Sequence, residues 1–314
     1  MKILITGGGG FIGSNLADFL VRKKHNVTII DNFSTGFEEF INNDKIRIIK
    51  CDLLKLKKLK KIFKGHEFVF HLAANADIRF GLDNPKKDLE QNAICTFNVL
   101  EAMRANRIKK IAFTSTAPVY GNTKNFPTKE YNNLAHQTSL YGASKLYGES
   151  LIQCYCEGFN FQSWIFRFVS ILGPRYSHGH IFDFFKKIKK NKNMLEILGD
   201  GRQKKSYLHI LDCIEAMYLA IKKANEKINI FNLGAKNFIT VNHSARLICK
   251  YFKIKPKLYY TGGDRGWVGD QPKVHLNISK IKRLGWSNKY TIDDSIIDTL
   301  RWLENNKWIL YKRK

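Results

Sequence analysis

Short apolar runs alternate with amphipathic stretches along the first half of the chain. The apolar runs and the helical patterns occupy, in turn, residues 2–6, 11–22, 26–30, 46–50, 56–63, 68–72, 86–106, 110–115, 141–157 and 161–168. Strands of this kind that alternate with helices predict an α/β fold built on a parallel, doubly wound sheet.

The pattern changes after Gly173, where Gly, Pro, Asn and aromatic residues become denser and the alternation becomes less regular. A chain of 314 residues is long enough for about two domains. We therefore expect a larger domain over residues 1–169 and a smaller C-terminal domain over 170–314. A helical pattern at 208–223 and an apolar run at 229–234 predict segments near 207–235 that return to the first domain.

Three glycines separate the first predicted strand from the first helix, as Gly7-x-x-Gly10-x-x-Gly13. Such glycines allow a tight turn, let the backbone approach a pyrophosphate and let the helix pack closely on the strand. A glycine triplet alone also occurs in flexible turns. Here, however, the second strand ends in Asp31, and a carboxylate there accepts both ribose hydroxyls of an adenosine and repels a 2′-phosphate. This context predicts a Rossmann-type site that prefers NAD to NADP. Asp52, after the third strand, either binds the adenine amine or caps the strand.

Tyr141 and Lys145 lie four residues apart in a predicted helix, so their side chains share one face. A lysine in this place, helped by the positive nicotinamide ring, lowers the pKa of the tyrosine and makes it a proton acceptor. The same spacing also arises by chance on helix surfaces. Ser115 and Thr116 follow the fifth strand and either hydrogen-bond a reacting oxygen or cap the strand. All three motifs together, in this order and at strand ends, favour a catalytic interpretation.

The chain is strongly basic, with 53 Lys and Arg against 27 Asp and Glu and a formal net charge of +26. The basic residues are spread over every segment at helical spacing, which is typical of solvated helix faces rather than of a nucleic-acid surface. We therefore expect no nucleic acid as a partner. A composition of 44% hydrophobic and 13% aromatic residues excludes a disordered basic tail.

Six cysteines without a CxxC pair indicate neither a zinc knuckle nor a disulfide framework. No uncharged apolar run approaches 18 residues, and the first apolar run passes directly into glycines, so neither a membrane span nor a signal peptide is expected. These features favour a cytoplasmic protein. No metal site is expected either, because His178 and His180 lack a third ligand at suitable spacing; we interpret them as substrate contacts or loop residues.

The motifs resemble those of the extended short-chain dehydrogenase/reductases. Within them, the chain is most similar to the NAD-dependent sugar-nucleotide epimerase/dehydratase group and to its UDP-glucose 4-epimerases. The resemblance runs nearly from end to end, over TGGGGFIGSNL, DNFSTG, HLAANAD, QNAICTFNVLEAMR, TSTAPVYG, LYGASKLYGE, RFVSILGPR, GDGRQKKSYLHILD and RGWVGDQP. It implies a Rossmann-type domain that binds NAD, a smaller C-terminal substrate-binding domain, and a homodimer that pairs the helices around 88–106 and 141–157.

Carried over residue by residue, the resemblance implies roles for three groups of residues. The catalytic group is Thr116, Tyr141 and Lys145. The cofactor group is Gly7, Gly10, Phe11, Ile12, Asp31, Asn32, Asp52, Leu53, Leu72, Ala73, Ala74, Asn92 and Ser115, together with Tyr141 and Lys145. The substrate group, which holds the nucleoside diphosphate, is Ser170, His178, Lys205, Arg265 and Asp270.

The chain departs from its relatives at several of these positions. Ala117 and Pro118 stand where the dehydratases carry Asp and Glu, and decarboxylases carry Glu at the position of Pro118, so both activities are disfavoured. Ser170 replaces an asparagine that reaches the diphosphate. Lys205 replaces an arginine and exchanges a bidentate fork for a point charge. Ala76, on the sugar side, is small and carries little information.

The sequence therefore predicts an NAD-dependent 4-epimerase that acts on a UDP-sugar or a related nucleotide sugar through a transient 4-keto intermediate. One alternative is a nucleotide-sugar 4-ketoreductase or dehydrogenase with the same catalytic residues, or a dehydratase of the group. Another is a non-catalytic dinucleotide sensor or a nucleic-acid-binding protein with the same fold, because a fold does not determine a function.

Overall fold

The structure is a computed structural model that describes residues 1–75, 77–132, 135–266 and 270–313, with the backbone alone for 78–80. The strands are β1 (Lys2–Thr6), β2 (Asn26–Asp31), β3 (Ile46–Lys50), β4 (Phe68–His71), β5 (Lys110–Thr116), β6 (Gln162–Phe168), β7 (Ser170–Leu172), β8 (Met194–Ile197), β9 (Lys204–Lys205), β10 (Tyr207–His209), β11 (Ile228–Leu233), β12 (Ile239–Thr240) and β13 (Lys257–Tyr260). The α-helices are α1 (Phe11–Arg22), α2 (Leu56–Ile62), α3 (Ile78–Asp83), α4 (Pro85–Asp88), α5 (Cys95–Ala105), α6 (Leu140–Phe159), α7 (His180–Lys190), α8 (Ile210–Lys223), α9 (Val241–Tyr251), α10 (Ser279–Arg283), α11 (Ile292–Asn305) and α12 (Ile309–Lys312).

Seven parallel strands form the central sheet, in the order β11-β6-β5-β4-β1-β2-β3. The chain runs outward from β1 to β3 and then returns to place β4 on the other side of β1. The strand order therefore reverses between β1 and β4, and in open α/β sheets ligands bind beside the carboxyl ends of the strands at this point. The predicted α/β, doubly wound parallel sheet is confirmed.

Helices cover both faces of the sheet, which explains why its inner strands are apolar along nearly their whole length. On one face, α2, α5 and α6 contribute Leu59, Met103 and Ile152 to a cluster with the strand residues Leu4 and Ile111. On the other face, α1 and α8 pack against the sheet, and this second core continues into the elements after Phe168. The sheet thus provides a rigid base for the loops at its carboxyl edge.

Two predicted helices differ in detail from the observed ones. The helix expected over 86–106 runs from α4 to α5, but its middle part, Leu89–Ile94, is a π-helical stretch. The helix expected over 141–157 is longer, because Ser139 caps it: the Ser139 side chain accepts a hydrogen bond from the Gly142 amide at 3.0 Å.

The segments after Gly173 form small sheets and helices around the carboxyl edge of the main sheet. The pairs β10-β7, β12-β9 and β13-β8 are two-stranded, whereas the strand predicted at 229–234 joins the main sheet as β11 beside β6. The division into domains at 169/170 stays a prediction. Within the described segments, no helix combines the length and the apolar character that crossing a bilayer requires.

Candidate active site

A deep cleft of about 510 Å³ opens at the carboxyl ends of β1, β2, β4 and β5 and continues beneath α7. At one end it is lined by the glycine turn, by residues 30–36 and by the segment after β4. At the other end it is lined by residues 168–171, 176–180 and 205–207, by one face of α7, and by Gly266, Asp270 and Gln271. Two groups of predicted site residues therefore share one cavity.

The glycine turn is packed so closely that it leaves no room for a side chain at two of its glycines. Gly7 has a φ of +73°, and a Cβ on it would lie 2.6 Å from the backbone nitrogen of Ala73. A Cβ on Gly13 would collide with the carbonyl oxygen of Gly7. Gly10 caps the N-terminus of α1. The turn therefore leaves the positive end of α1 open to a phosphate group, as a dinucleotide requires.

Asp31 lies at the end of β2, next to this turn. Its carboxylate accepts hydrogen bonds from the backbone amides of Gly9 and Phe33, each at 2.8 Å. Burial raises the pKa of Asp31, and the amide hydrogen bonds partly oppose this rise because they favour the charged form. The neighbouring Asp52 accepts from the Leu54 amide at 2.8 Å and from Asn32 Nδ2 at 3.4 Å, and it does not line the cleft.

The predicted catalytic residues meet at the end of β5. Thr116 and Tyr141 both line the cleft, and the Thr116 side chain lies close enough to the Tyr141 phenol to oppose part of the rise in its pKa. Lys145 is buried one helical turn further: its Nζ donates to the Thr114 carbonyl at 2.8 Å and lies 4.6 Å from the centre of the Phe113 ring.

Burial controls the charges of this pair. Burial raises the pKa of Tyr141 to about 12, and it lowers the pKa of Lys145 to about 7 against the opposing effect of Glu149. The protein without cofactor therefore does not show the expected lowering of the Tyr141 pKa by Lys145.

Asn92 lies behind the cleft rather than on its surface. It sits in the π-helical stretch, where its Nδ2 donates to Asp88 Oδ1 at 3.0 Å and to Ser144 Oγ at 2.8 Å, while its Oδ1 accepts from the Asn75 amide at 2.8 Å. Sequence reasoning missed Asp88, which is 2% exposed and bonds Asn75 as well as Asn92. The sequence signal that could have identified Asp88 was its spacing of four residues from Asn92 within a predicted helix.

Of the residues predicted to bind the substrate, Ser170 and His178 line the cleft. Lys205 also lines it, and its Nζ bonds Asp270 Oδ1 and the Gln271 carbonyl, both at 2.6 Å. Arg265, in contrast, is exposed and is not part of the cleft lining, although the next residue, Gly266, is.

His180 is the second histidine singled out in the sequence. His180 lines the cleft and bonds the hydroxyl of Tyr207 through Nδ1 at 2.6 Å. In the described part of the chain, no group of three or more His, Cys, Asp or Glu side chains could hold a metal ion. Ala76 and residues 267–269 of the motif RGWVGDQP lie outside the described residues.

The sequence model of the NAD dependent epimerase/dehydratase family matches residues 3–234. The chain belongs to this family. It is 30% identical to the UDP-glucose 4-epimerase of Corynebacterium glutamicum over 95% of this chain and 94% of that protein. The crystal structure of UDP-glucose 4-epimerase from Thermotoga maritima with UDP-glucose is similar at a TM-score of 0.90 and 28% identity, over 98% of this chain and all of that one. The Thermus thermophilus UDP-glucose 4-epimerase in complex with NAD is similar at a TM-score of 0.87 and 25% identity, over 97% of this chain and 99% of that one.

Membership of the NAD dependent epimerase/dehydratase family makes NAD the cofactor, and the residues of this chain fit it. The glycine turn has no room for a Cβ at Gly7 or Gly13, and the N-terminus of α1 at Gly10 borders the cleft, where the pyrophosphate would bind. Asp31 offers a carboxylate where the adenosine ribose would lie. The protein is an NAD-dependent nucleotide-sugar epimerase.

Proposed function

We propose that the protein inverts C4 of a UDP-hexose or a closely related UDP-sugar. The observation that carries this proposal is that Thr116 and Tyr141 lie close together in one cleft with Gly7, Gly10 and Asp31 of the NAD site. A 4-epimerase needs a group that removes and returns one proton, a group that holds the sugar oxygen, and a bound hydride acceptor. The named relatives are UDP-glucose 4-epimerases, which supports UDP as the nucleotide.

In the proposed mechanism, Tyr141 accepts the proton of the sugar 4-hydroxyl and Thr116 holds the oxygen as it becomes a carbonyl. When bound, NAD supplies a reversible hydride acceptor for C4. Lys145 and the positive nicotinamide ring favour the phenolate of Tyr141, which burial alone disfavours. Tyr141 then returns its proton to the oxygen after the keto sugar has turned its other face. Electrons and protons are both restored, so the reaction has no net redox change.

The nucleotide diphosphate is assigned to the half of the cleft beneath α7. Lys205 supplies positive charge there, while Ser170 and His178 supply polar contacts. Asp270 holds the Lys205 ammonium in place at 2.6 Å. Because this carboxylate already neutralises part of the charge, we infer that the diphosphate also depends on backbone amides in this segment.

Two features favour epimerisation over dehydration. Ala117 and Pro118 follow Thr116 in the cleft, and neither side chain can donate or accept a proton. A nucleotide-sugar dehydrogenase or ketoreductase remains the second candidate, since it would use the same three residues but exchange its cofactor at every turnover.

We also propose a homodimer in the cytoplasm. Leu89 (56% exposed), Phe97 (41%) and Tyr147 (49%) lie on the outer surface of the π-helical stretch, α5 and α6. Exposed apolar side chains grouped in this way are typical of association surfaces, which supports the pairing of these helices. The six cysteines are free thiols, which supports a reducing compartment. No feature of the site calls for a nucleic-acid partner.

The test is to incubate the purified protein, without added cofactor, with UDP-, GDP-, CDP- and dTDP-sugars and to follow the anomeric proton signals by NMR. Appearance of a 4-epimer supports the proposal and identifies the substrate. Turnover only with added NAD, together with accumulation of NADH, would replace it by the dehydrogenase alternative. Tyr259→Phe, at an exposed position on β13 outside the cleft, serves as the active control.

A further inference from the structure

The last residues of the chain lie against the loop that follows β2. We define the C-terminal arm as residues 306–313. Its Trp308 packs edge-on against Phe37 at 5.5 Å between ring centres and also contacts Phe40, and its Lys312 forms an ion pair with Glu39. Ile309 is fully buried. The arm is thus anchored to the nucleotide-binding part of the chain.

Arg313, at the end of this arm, reaches the cleft. One of its guanidinium nitrogens, Nη1, donates to the Thr35 carbonyl at 2.9 Å, and the residue is part of the cleft lining. Thr35 and Gly36 lie directly on the glycine turn: a Cβ on Gly36 would be 2.8 Å from the Gly9 carbonyl oxygen, and the Phe37 amide donates to that oxygen at 2.9 Å. The guanidinium is therefore held next to the loop that faces the positive end of α1.

The charge of Arg313 lacks a close counter-ion. Among the described residues, no carboxylate oxygen lies within 4.0 Å of the guanidinium, and Asp77 acts on it only from a longer distance. Burial lowers the pKa of Arg313, because the cation has lost part of its hydration without gaining a partner of opposite charge. A guanidinium held in this way, with donors still available, is suited to a phosphate group.

We propose that Arg313 donates hydrogen bonds to the phosphate groups of the dinucleotide, so that the C-terminal arm is part of the cofactor site and slows the release of NAD. The contact would join the two ends of the chain through the bound cofactor. This inference rests on NAD as the cofactor and not on the identity of the sugar.

The experiment measures nucleotide binding to the full-length protein after removal of any bound NAD. Arg313→Gln removes the charge, Arg313→Lys retains it, and Lys307→Gln removes an exposed charge from the same arm as the matched control. Dissociation constants for NAD, ADP and adenosine are obtained by calorimetry, and the unfolding temperature without nucleotide shows whether the arm stays in place.

We expect Arg313→Gln to weaken the binding of NAD and ADP about tenfold, because a charge-assisted contact to phosphate is lost. The affinity for adenosine should change less than about twofold. Arg313→Lys should be intermediate and Lys307→Gln unchanged. Wild-type affinity for NAD in Arg313→Gln would overturn the proposal. Equal weakening of adenosine would also overturn it, since Arg313 would then only support the loop at Thr35. These titrations need neither sugar nor turnover, so they still test the role of Arg313 if the proposed epimerase activity is not found.

Discussion

Glu149 and Arg167 form a buried ion pair directly behind the catalytic residues. Arg167 Nη2 donates to Glu149 Oε2 at 2.6 Å and Arg167 Nε donates to Oε1 at 3.0 Å, with side chains 6% and 0% exposed. Ser115 also donates to the Glu149 carboxylate, and Ser115 precedes Thr116 on β5. The pair therefore connects the helix that carries Tyr141 to the strand that carries Thr116.

Glu149→Gln should lower the free energy of unfolding by about 3–5 kcal/mol, because it leaves the guanidinium of Arg167 buried without a counter-charge. Replacing both residues, as Glu149→Gln with Arg167→Met, should cost less than the sum of the two single changes. Urea unfolding of the four proteins measures both quantities. A loss below about 1 kcal/mol in the single variant would show that the pair has little energetic importance.

Tyr141→Phe should reduce kcat by about two to four orders of magnitude, because it removes the proton acceptor of the reaction. NAD affinity should stay within about twofold, since the phenyl ring keeps the shape of the side chain. Turnover is measured by NMR and NAD binding by titration, with Tyr259→Phe as the control. Full activity in Tyr141→Phe would contradict the mechanism.

Asp31→Ala should weaken the binding of NAD about tenfold or more and shift the cofactor preference towards NADP. The carboxylate is the group that accepts the ribose hydroxyls and repels a 2′-phosphate, and its loss also frees the amides of Gly9 and Phe33. Parallel titrations with NAD and NADP measure the change. Asp44→Ala, an exposed aspartate in the same part of the chain, is the control. An unchanged ratio of the two affinities would refute the ribose assignment.

Gly13→Ala should abolish NAD binding and destabilise the protein, because its Cβ would collide with the Gly7 carbonyl oxygen in the turn. Gly158→Ala is the matched control, since a Cβ there meets no atom within 4 Å near the end of α6. That change should be neutral or stabilising by about 0.5–1 kcal/mol. Thermal unfolding and NAD titration distinguish the two glycines; similar effects at both positions would mean that close packing at Gly13 is unimportant.

His71 makes the stability of the protein sensitive to acid. It is fully buried between the hydroxyls of Thr6 and Thr96, and burial lowers its pKa to about 3. The unfolded chain takes up this proton near pH 6.5, so stability is present above that pH and is lost as the pH falls from about 6.5 to about 3. The slope contributed by this histidine approaches about 1.4 kcal/mol per pH unit. Urea unfolding at several pH values should give a shallower slope for His71→Gln; identical slopes would disprove the assignment.

The parts of the site that could be predicted depend on short-range patterns. The glycine turn, Asp31 and the pair Tyr141 and Lys145 each follow from spacing within one strand–turn–helix unit or one helical turn. The glycine turn, Asp31 and Tyr141 line one cleft, and Lys145 is buried behind it. The alternation of strands and helices likewise determined the sheet, because each element has its own period of apolar residues.

The parts that could not be predicted depend on contacts between distant segments. Arg313 belongs to a basic C-terminus that looks like a solvated tail, yet it meets Thr35, 278 positions away. Arg265 matches a family position, but its side chain is exposed and does not line the cleft. Asn92, in the π-helical stretch, also forms buried hydrogen bonds to Asn75 and Ser144, which lie 17 and 52 positions away and which no periodicity reveals.

The position of β11 in the sheet also has a consequence during synthesis of the protein. β11 begins about 60 residues after β6 ends. Because the ribosome adds about 5–20 residues per second, the outer edge of β6 stays unpaired for several seconds before β11 is synthesised. An unpaired apolar edge is a template for wrong pairing with other chains. Between the emergence of residue 168 and that of residue 233, this edge of the nascent chain is therefore open to aggregation.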